Sequence, residues 1–191
     1  MKSNDSVKEQ ILDAAMKRML KFGYRKVTMD EIAQDLVMSK NTIYKHFQSK
    51  VEIAQGLFGR LEKNINHELL LIEDAHKDSL EIISKSIFFL QQQLAPWFEY
   101  FFQDIRWELP DLWEQFIQFR NEKILNVKKL IEQGIKSGKF RKVHSALAVQ
   151  IYLGAIDYVL RPEFLEHEKI SFPEAIEGVL DVWSSGVLKA R

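Results

Sequence analysis

The chain contains no cysteine, so disulfides and thiolate metal sites are excluded, and the composition fits a reducing compartment. No continuous apolar stretch approaches the length that spans a bilayer, and the first residues carry no apolar signal segment. A soluble, cytoplasmic protein with no membrane partner is the expectation. Strict apolar–polar alternation, internal repeats and low-complexity segments are missing as well, which argues against β-sheet and repeat architectures. So are His-Glu-x-x-His, a phosphate-cradling glycine loop and a serine elbow. A helical bundle can hold two metals with a pair of Glu-x-x-His motifs, but Glu73 to His76 is a lone instance. Glu163, Glu166, His167 and Glu168 follow Pro162 and read as a solvated loop. No catalytic residue, metal ligand or cofactor is expected.

Net charge is absent too, with 27 Lys and Arg against 27 Asp and Glu. The balance is uneven along the chain. Residues 1–50 hold ten Lys and Arg and six Asp and Glu, a surplus of four positive charges that the remainder, with seventeen and twenty-one, offsets. A polyanion is therefore attracted to one end only.

What is present is helical periodicity, in a chain of 191 residues that is 46% hydrophobic and can bury a real core. The fold class is all-α. Ser6 with Glu9 predicts a capping box for a first helix whose inward face is Val7, Ile11, Ala14, Ala15, Met19 and Phe22, with Gly23 at its left-handed end. Thr28 with Glu31, and Ser49 with Glu52, predict further capping boxes, and Ser39 caps a short helix between them. A long helix runs from Lys50 to about Ile72, with Ile53, Leu57, Leu61, Ile65 and Leu69 spaced by four. Asp78 or Ser79 opens another to about Leu94, and Pro96 opens a short one to about Trp107. Pro110 starts a helix that ends at Gly138, and Ser145–Leu160 and Ser171–Leu188 complete the set. Linkers are expected at Asp74–Lys77 and Arg161–Ile170.

Two short capped helices joined by a tight turn between Thr28 and Lys50 make a helix-turn-helix. Ile32, Ala33 and Leu36 face inward from the first, Ile43 and Phe47 from the second. The second leaves Lys40, Asn41, Thr42, Tyr44, Lys45 and His46 outward, the donors and cations that suit a helix laid into a major groove. Lys40, Asn41, Thr42 and Lys45 are assigned to base edges or adjacent phosphates, with the cap Ser39 beside them. Thr28, Tyr44, His46 and Lys50 are assigned to backbone phosphates.

These residues carry a resemblance. Ile11 to Leu57, and most specifically Ile32-Ala33 followed by Ser39-Lys40-x-Thr42-x-Tyr44-x-x-Phe47-x-x-Lys50, resembles the N-terminal domain of the tetracycline-repressor (TetR) family of transcription regulators. The remainder is similar in length, helical content and the Gly134–Phe140 turn. Val37 and Asn41 stand where the family commonly has glycine, and a β-branched residue tolerates positive φ poorly. The resemblance implies a DNA-binding domain over residues 1–50 and a helical effector-binding and dimerisation domain over 51–191. It also implies a repressor on a palindromic double-stranded operator, released by a small, mostly apolar effector. The competing expectation is a helical ligand- or protein-binding module of the same fold without sequence-specific DNA binding.

Aromatic residues concentrate between Phe88 and Phe119, where eleven of the chain's twenty-two lie. Each ring fills a core or lines a ligand chamber, and single rings are mostly core. The resemblance favours a chamber, for which Trp97, Tyr100, Phe101, Trp107, Trp113 and Phe116 are the candidate walls. His67, Arg120, Gln150, Tyr152 and Asp157 are the candidate polar contacts. On the last two helices, Ala146, Gln150, Gly154 and Asp157 form a small, polar stripe, and Val179, Val182, Trp183 and Gly186 an apolar one. Such stripes serve intrachain packing or a partner helix pair. In the resembled family this pair forms a four-helix homodimer interface, so Ala146, Gln150, Gly154, Val179, Val182, Trp183 and Gly186 are its candidate residues.

Overall fold

The computed structural model describes residues 4–98 and 100–188. The described residues fall into two compact units, one within Met1–His67 and Pro96–Phe119, the other within Glu68–Ala95 and Arg120–Arg191. The helices in chain order are α1 (Asn4–Phe22), α2 (Met29–Asp35), α3 (Lys40–His46), α4 (Lys50–Ala75), α5 (Ser79–Phe98), α6 (Phe101–Glu108), α7 (Pro110–Lys136), α8 (Ser145–Val159), α9 (Pro162–Glu168) and α10 (Phe172–Val187). The division falls inside α4, α5 and α7. An isolated antiparallel bridge joins Phe140 and Leu188.

In the first unit, Ile11, Ala15 and Met19 of α1 are fully buried with Ile32, Ile43, Ile53 and Ala54. Four apolar stripes at helical spacing thus close one small core. Phe22 is the exception on α1: it stands 44% exposed, with the Lys21 ammonium 5.1 Å from its ring centroid. α1 is already helical at Asn4, so Ser6 is not its cap.

In the second unit, Ile82, Ile83, Leu130, Ile131, Phe140, Ala148, Val149, Trp183 and Val187 form the core cluster. Phe140 reaches it because the end of α7 carries glycine at 134. A Cβ there would meet the Phe140 ring at 2.4 Å, and the Lys139 and Phe140 amides both donate to the Gly134 carbonyl, at 3.0 and 3.1 Å. The indole Nε1 of Trp183 donates to the Ala148 carbonyl at 2.8 Å and ties α10 to α8.

Several expected boundaries are corrected. Pro96 lies inside α5 and does not open a helix; it lacks an amide donor, and α5 ends two residues later. The segment after it starts anew as α6, without a side-chain cap at Tyr100. Arg161–Ile170 is not a linker but holds α9, with Pro162 at its start and Lys169 left-handed at its end. Asp74 and Ala75 still belong to α4.

The turn between α2 and α3 keeps its shape without glycine. Val37 has φ of 52° and is 96% exposed, so its β-branched side chain pays for a left-handed backbone with no packing in return. Replacing Val37 with glycine is expected to stabilise the first unit by about 1 kcal/mol, the net of left-handed strain relieved and chain entropy added. Denaturant midpoints of the two proteins measure it; a destabilised V37G variant would contradict the strain.

Candidate nucleic-acid interface

α2 and α3 are each started by a side chain. The Thr28 hydroxyl accepts from the Glu31 amide at 3.3 Å, and the Glu31 carboxylate accepts from the Thr28 amide at 2.8 Å. These bonds to Thr28 hold the Glu31 carboxyl below its usual range. Ser39 Oγ accepts from the Thr42 amide at 3.1 Å and shares a 2.8 Å hydroxyl contact with Thr42 Oγ1. The next start departs from a full box. Ser49 Oγ takes the Glu52 amide at 3.2 Å, while the Glu52 carboxylate goes to the Gln48 amide.

With Ile43 and Phe47 buried, α3 presents Lys40, Asn41, Tyr44 and Lys45 to the outside. Asn41 and Lys45 make no side-chain hydrogen bond among the described residues, which leaves an amide and a cation for a ligand. Lys40 is held by Asp30 of α2 at 2.7 Å. Both partners are exposed, so a phosphate competes for that ammonium at little cost. Tyr44 is 40% exposed. His46 is half-buried, and its Nδ1 is enclosed without a partner. Ser39, Thr42 and Thr28 spend their hydroxyls on caps and orient the backbone.

Lys50 has a different environment from the one expected. Its ammonium donates to the carbonyls of Tyr24 and Val27, each at 2.9 Å, reaches that of Arg25 at 3.4 Å, and lies 4.2 Å from the Tyr24 ring centroid. Burial pushes its pKa down, opposed by the charges of Glu108, Asp104 and Glu31. The side chain pins the loop between α1 and α2 to the start of α4.

The same loop is gripped by α6. Asp104 accepts from the Arg25 amide at 2.8 Å, and the Arg25 side chain meets Glu108 at 3.0 Å. Gly23, at φ of 84°, is required here, because a Cβ would fall 2.4 Å from the Asp104 carboxylate. Arg25, Asp104 and Glu108 were not singled out from sequence. Their pairing spans 79 residues, and no local spacing signals it.

The aromatic candidates divide. Trp97, Phe101 and Phe116 are buried among one another's neighbours: Trp97 and Phe101 centroids are 5.0 Å apart, Phe102 and Phe116 4.4 Å, and Phe58 of α4 stands edge-on to Phe116 at 6.2 Å. Trp113 is half-buried against Phe102 and Phe116. Trp107 is 75% exposed and Tyr100 45%, so neither walls an enclosed chamber. His67 is exposed. These residues lie in the first unit, whereas Arg120, Gln150, Tyr152 and Asp157 lie in the second. Arg120 pairs with Asp157 at 2.7 Å, Gln150 is exposed, and burial pushes the Tyr152 phenol up to about 12.

Of the candidate interface residues, Trp183 is buried in its own core and is not an exposed anchor. Val182 is 75% exposed, Gln150, Gly154 and Gly186 are exposed, and Ala146 and Val179 are half-buried. Leu147, Ile151 and Tyr158 of α8, between 56% and 58% exposed, extend this face and were missed. The signal was their i, i+4 and i+11 spacing, hidden in a helix apolar on nearly every side. A cavity of about 440 Å³ opens beside them, lined by Ile151, Tyr152, Phe164, Val179, Val182 and Trp183 among others.

Residues 11–57 match the family described as bacterial regulatory proteins, tetR family. The chain is similar to the uncharacterized HTH-type transcriptional regulator YhgD of Bacillus subtilis, with 28% identity over 92% of this chain and 93% of that protein. It is similar also to the uncharacterized regulator YvaF of the same organism, 22% identical over 84% and 85%. Among solved structures, a putative transcriptional regulator from Saccharomonospora viridis in complex with choline shares the fold. Its TM-score is 0.79 at 17% identity, covering 97% of this chain and 100% of that one.

Two outcomes follow from the geometry. Lys50→Met is expected to destabilise the DNA-free protein by about 1 kcal/mol, since partly buried carbonyls lose their donor; a residue used only for phosphate would leave DNA-free melting unchanged. Glu31 has a lowered folded pKa, so its contribution is present above the ordinary carboxylate value and is lost as pH falls through the lowered one. Melting temperatures measured from neutral to acidic pH should therefore fall less steeply in Glu31→Gln than in the parent.

Proposed function

We propose that the chain, whose residues 11–57 match the tetR family of bacterial regulatory proteins, regulates transcription by repression, through a homodimer on a palindromic operator that a small apolar effector releases. The match over residues 11–57 and the similarity to HTH-type regulators support DNA-binding regulation over catalysis. The observation that carries it is the outward face of α3, where Asn41, Tyr44 and Lys45 stand clear on a helix whose other side is locked into the core. Residues 1–50 are the DNA-reading part and residues 51–191 the effector and dimer part, acting in the cytoplasm.

A lone helix-turn-helix reads one half-site, and two held about one helical turn or more apart read a palindrome. Leu147, Ile151, Tyr158 and Val182 support the dimer, being large apolar groups on adjacent helices beside an open cavity. For release, an apolar effector wedged between α4 and α7 tilts α4, and Lys50 carries the movement to the loop before α2. The edge-on contacts of Phe58 with Phe116 and Phe119, at 6.2 and 6.4 Å, support this as the seam that opens. The effector must bind the two states unequally, since equal affinity shifts nothing.

Selection of bound fragments from a random duplex pool at two salt concentrations tests the proposal. An enriched palindrome with steep salt dependence is expected; no enrichment by the folded protein would favour a binding module that does not read DNA. Lys45→Ala should weaken all sequences or relax one position, and the salt slope tells which. Val182→Glu is expected to give monomers in sedimentation velocity and to lose the palindrome while leaving the half-site recognised. A V182E protein that remains dimeric would remove this face from the interface.

A further inference from the structure

The cavity of about 440 Å³ beside the exposed face of α8 and α10 is lined wholly from residues 151–183, which belong to α8, α9, α10 and the turn before α10. Its size falls among small-molecule sites, which run from about 300 to 1,000 Å³. Ile151 and Val182 stand exposed at its mouth, whereas Ala175 and Trp183 of its wall are 5% and 7% exposed. The space therefore runs inward beyond the residues that a flat helix pairing would cover. Its wall is fixed before anything binds. Trp183 Nε1 donates to the Ala148 carbonyl at 2.8 Å, the Tyr152 ring stands edge-on to the indole at 5.6 Å, and Phe164 of α9 stands edge-on to Tyr158 at 5.4 Å. Gly178 leaves room at the lining. A Cβ there would find nothing beyond its own helical turn within 4 Å, so packing inside the chain does not require glycine, which is a poor helix former beside alanine.

Charge selects what this space accepts. Among the described residues no Lys, Arg or His lines it, and its one carboxylate, Glu174, is held by the Ser171 amide and hydroxyl, each at 2.7 Å. An anion would enter an apolar space without a partner and beside a like charge. A cation would have to draw Glu174 out of the α10 cap. Trp183 Nε1 is committed to Ala148, which leaves the Tyr152 hydroxyl, a group with no hydrogen bond among the described residues. Burial raises this phenol to about 12, so at neutral pH it is an uncharged O–H that both donates and accepts. Water fits the remainder poorly, since a held water needs about two to four polar partners.

We propose that this cavity is a binding site for an uncharged, largely apolar molecule carrying one hydroxyl, which exchanges a hydrogen bond with Tyr152 while its apolar body lies against Phe164 and Trp183. The site goes beyond the effector reading and does not depend on it, because no residue of the α4–α7 seam lines it. The test uses the full chain loaded with Nile red and titrated with 1-octanol, octanoate and octylammonium. Octanol is expected to displace the dye at least about tenfold more effectively than either ion. Gly178→Leu, whose side chain occupies the space, is expected to lose the octanol-displaceable dye while melting no lower than the parent, since position 178 has room and leucine favours a helix. Tyr152→Phe is expected to weaken octanol about tenfold, the loss of one hydrogen bond, without abolishing dye binding.

Displacement by either ion as strong as by octanol would overturn the proposal, as would octanol affinity unchanged in either variant. A parent protein that takes up no displaceable dye overturns it too. If, in that case, Gly178→Leu also converts a dimer to monomers in sedimentation velocity, the cavity is the seat of side chains from a second copy and not of a small molecule.

Discussion

The ammonium of Lys50 makes a fixed object of the loop between α1 and α2. A tight connection with several outward carbonyls is ordinarily free to breathe, and here carbonyls of residues 24, 25 and 27 converge on one cation at the start of α4. The Tyr24 ring covers that cation and helps exclude water from it. Because α2 begins directly after this loop, the angle at which α2 and α3 leave the core is set by where α4 begins. Asp104 and Glu108 hold the other side of the loop through Arg25. The connection before α2 is thus tied to both α4 and α6, and a displacement of either reaches α2 through it.

The parts of the fold legible in sequence were those written in short-range chemistry. Thr28 with Glu31 is a full capping box, and Ser39 caps α3, because a hydroxyl finds an amide three residues on without help from the rest of the molecule. The inward stripe of α4 was equally plain, since four-residue spacing survives over many turns. The failures share the opposite property. Pro96 has the chemistry of a helix start but was absorbed by a helix already running into it. α9 lies in a charged stretch expected to be a linker, and its proline serves as a helix start.

The functional surface follows the same rule. α3 was readable because its inward and outward residues differ in chemistry. Lys50 was harder to read, because a lysine beside such a helix has two good uses, and only the positions of distant carbonyls show the one made here. Arg25, Asp104 and Glu108 were unreadable, being brought together by packing over long separations. The aromatic run was visible as a run. Which rings interlock and which stand in water was not, since Trp97 and Trp107 differ by three turns of chain and by nearly the whole range of exposure.

That contrast gives the molecule built-in optical labels. Trp107 stands in water, whereas Trp97 is packed among rings and Trp183 is hydrogen-bonded inside the α8–α10 pair. Light emitted by the first is red-shifted and quenched by dissolved ions, and that from the other two is shielded. A change at the ring cluster and a change at the helix pair would therefore alter the same spectrum through different emitters. Single replacements of these tryptophans by phenylalanine would separate the signals without attaching a dye.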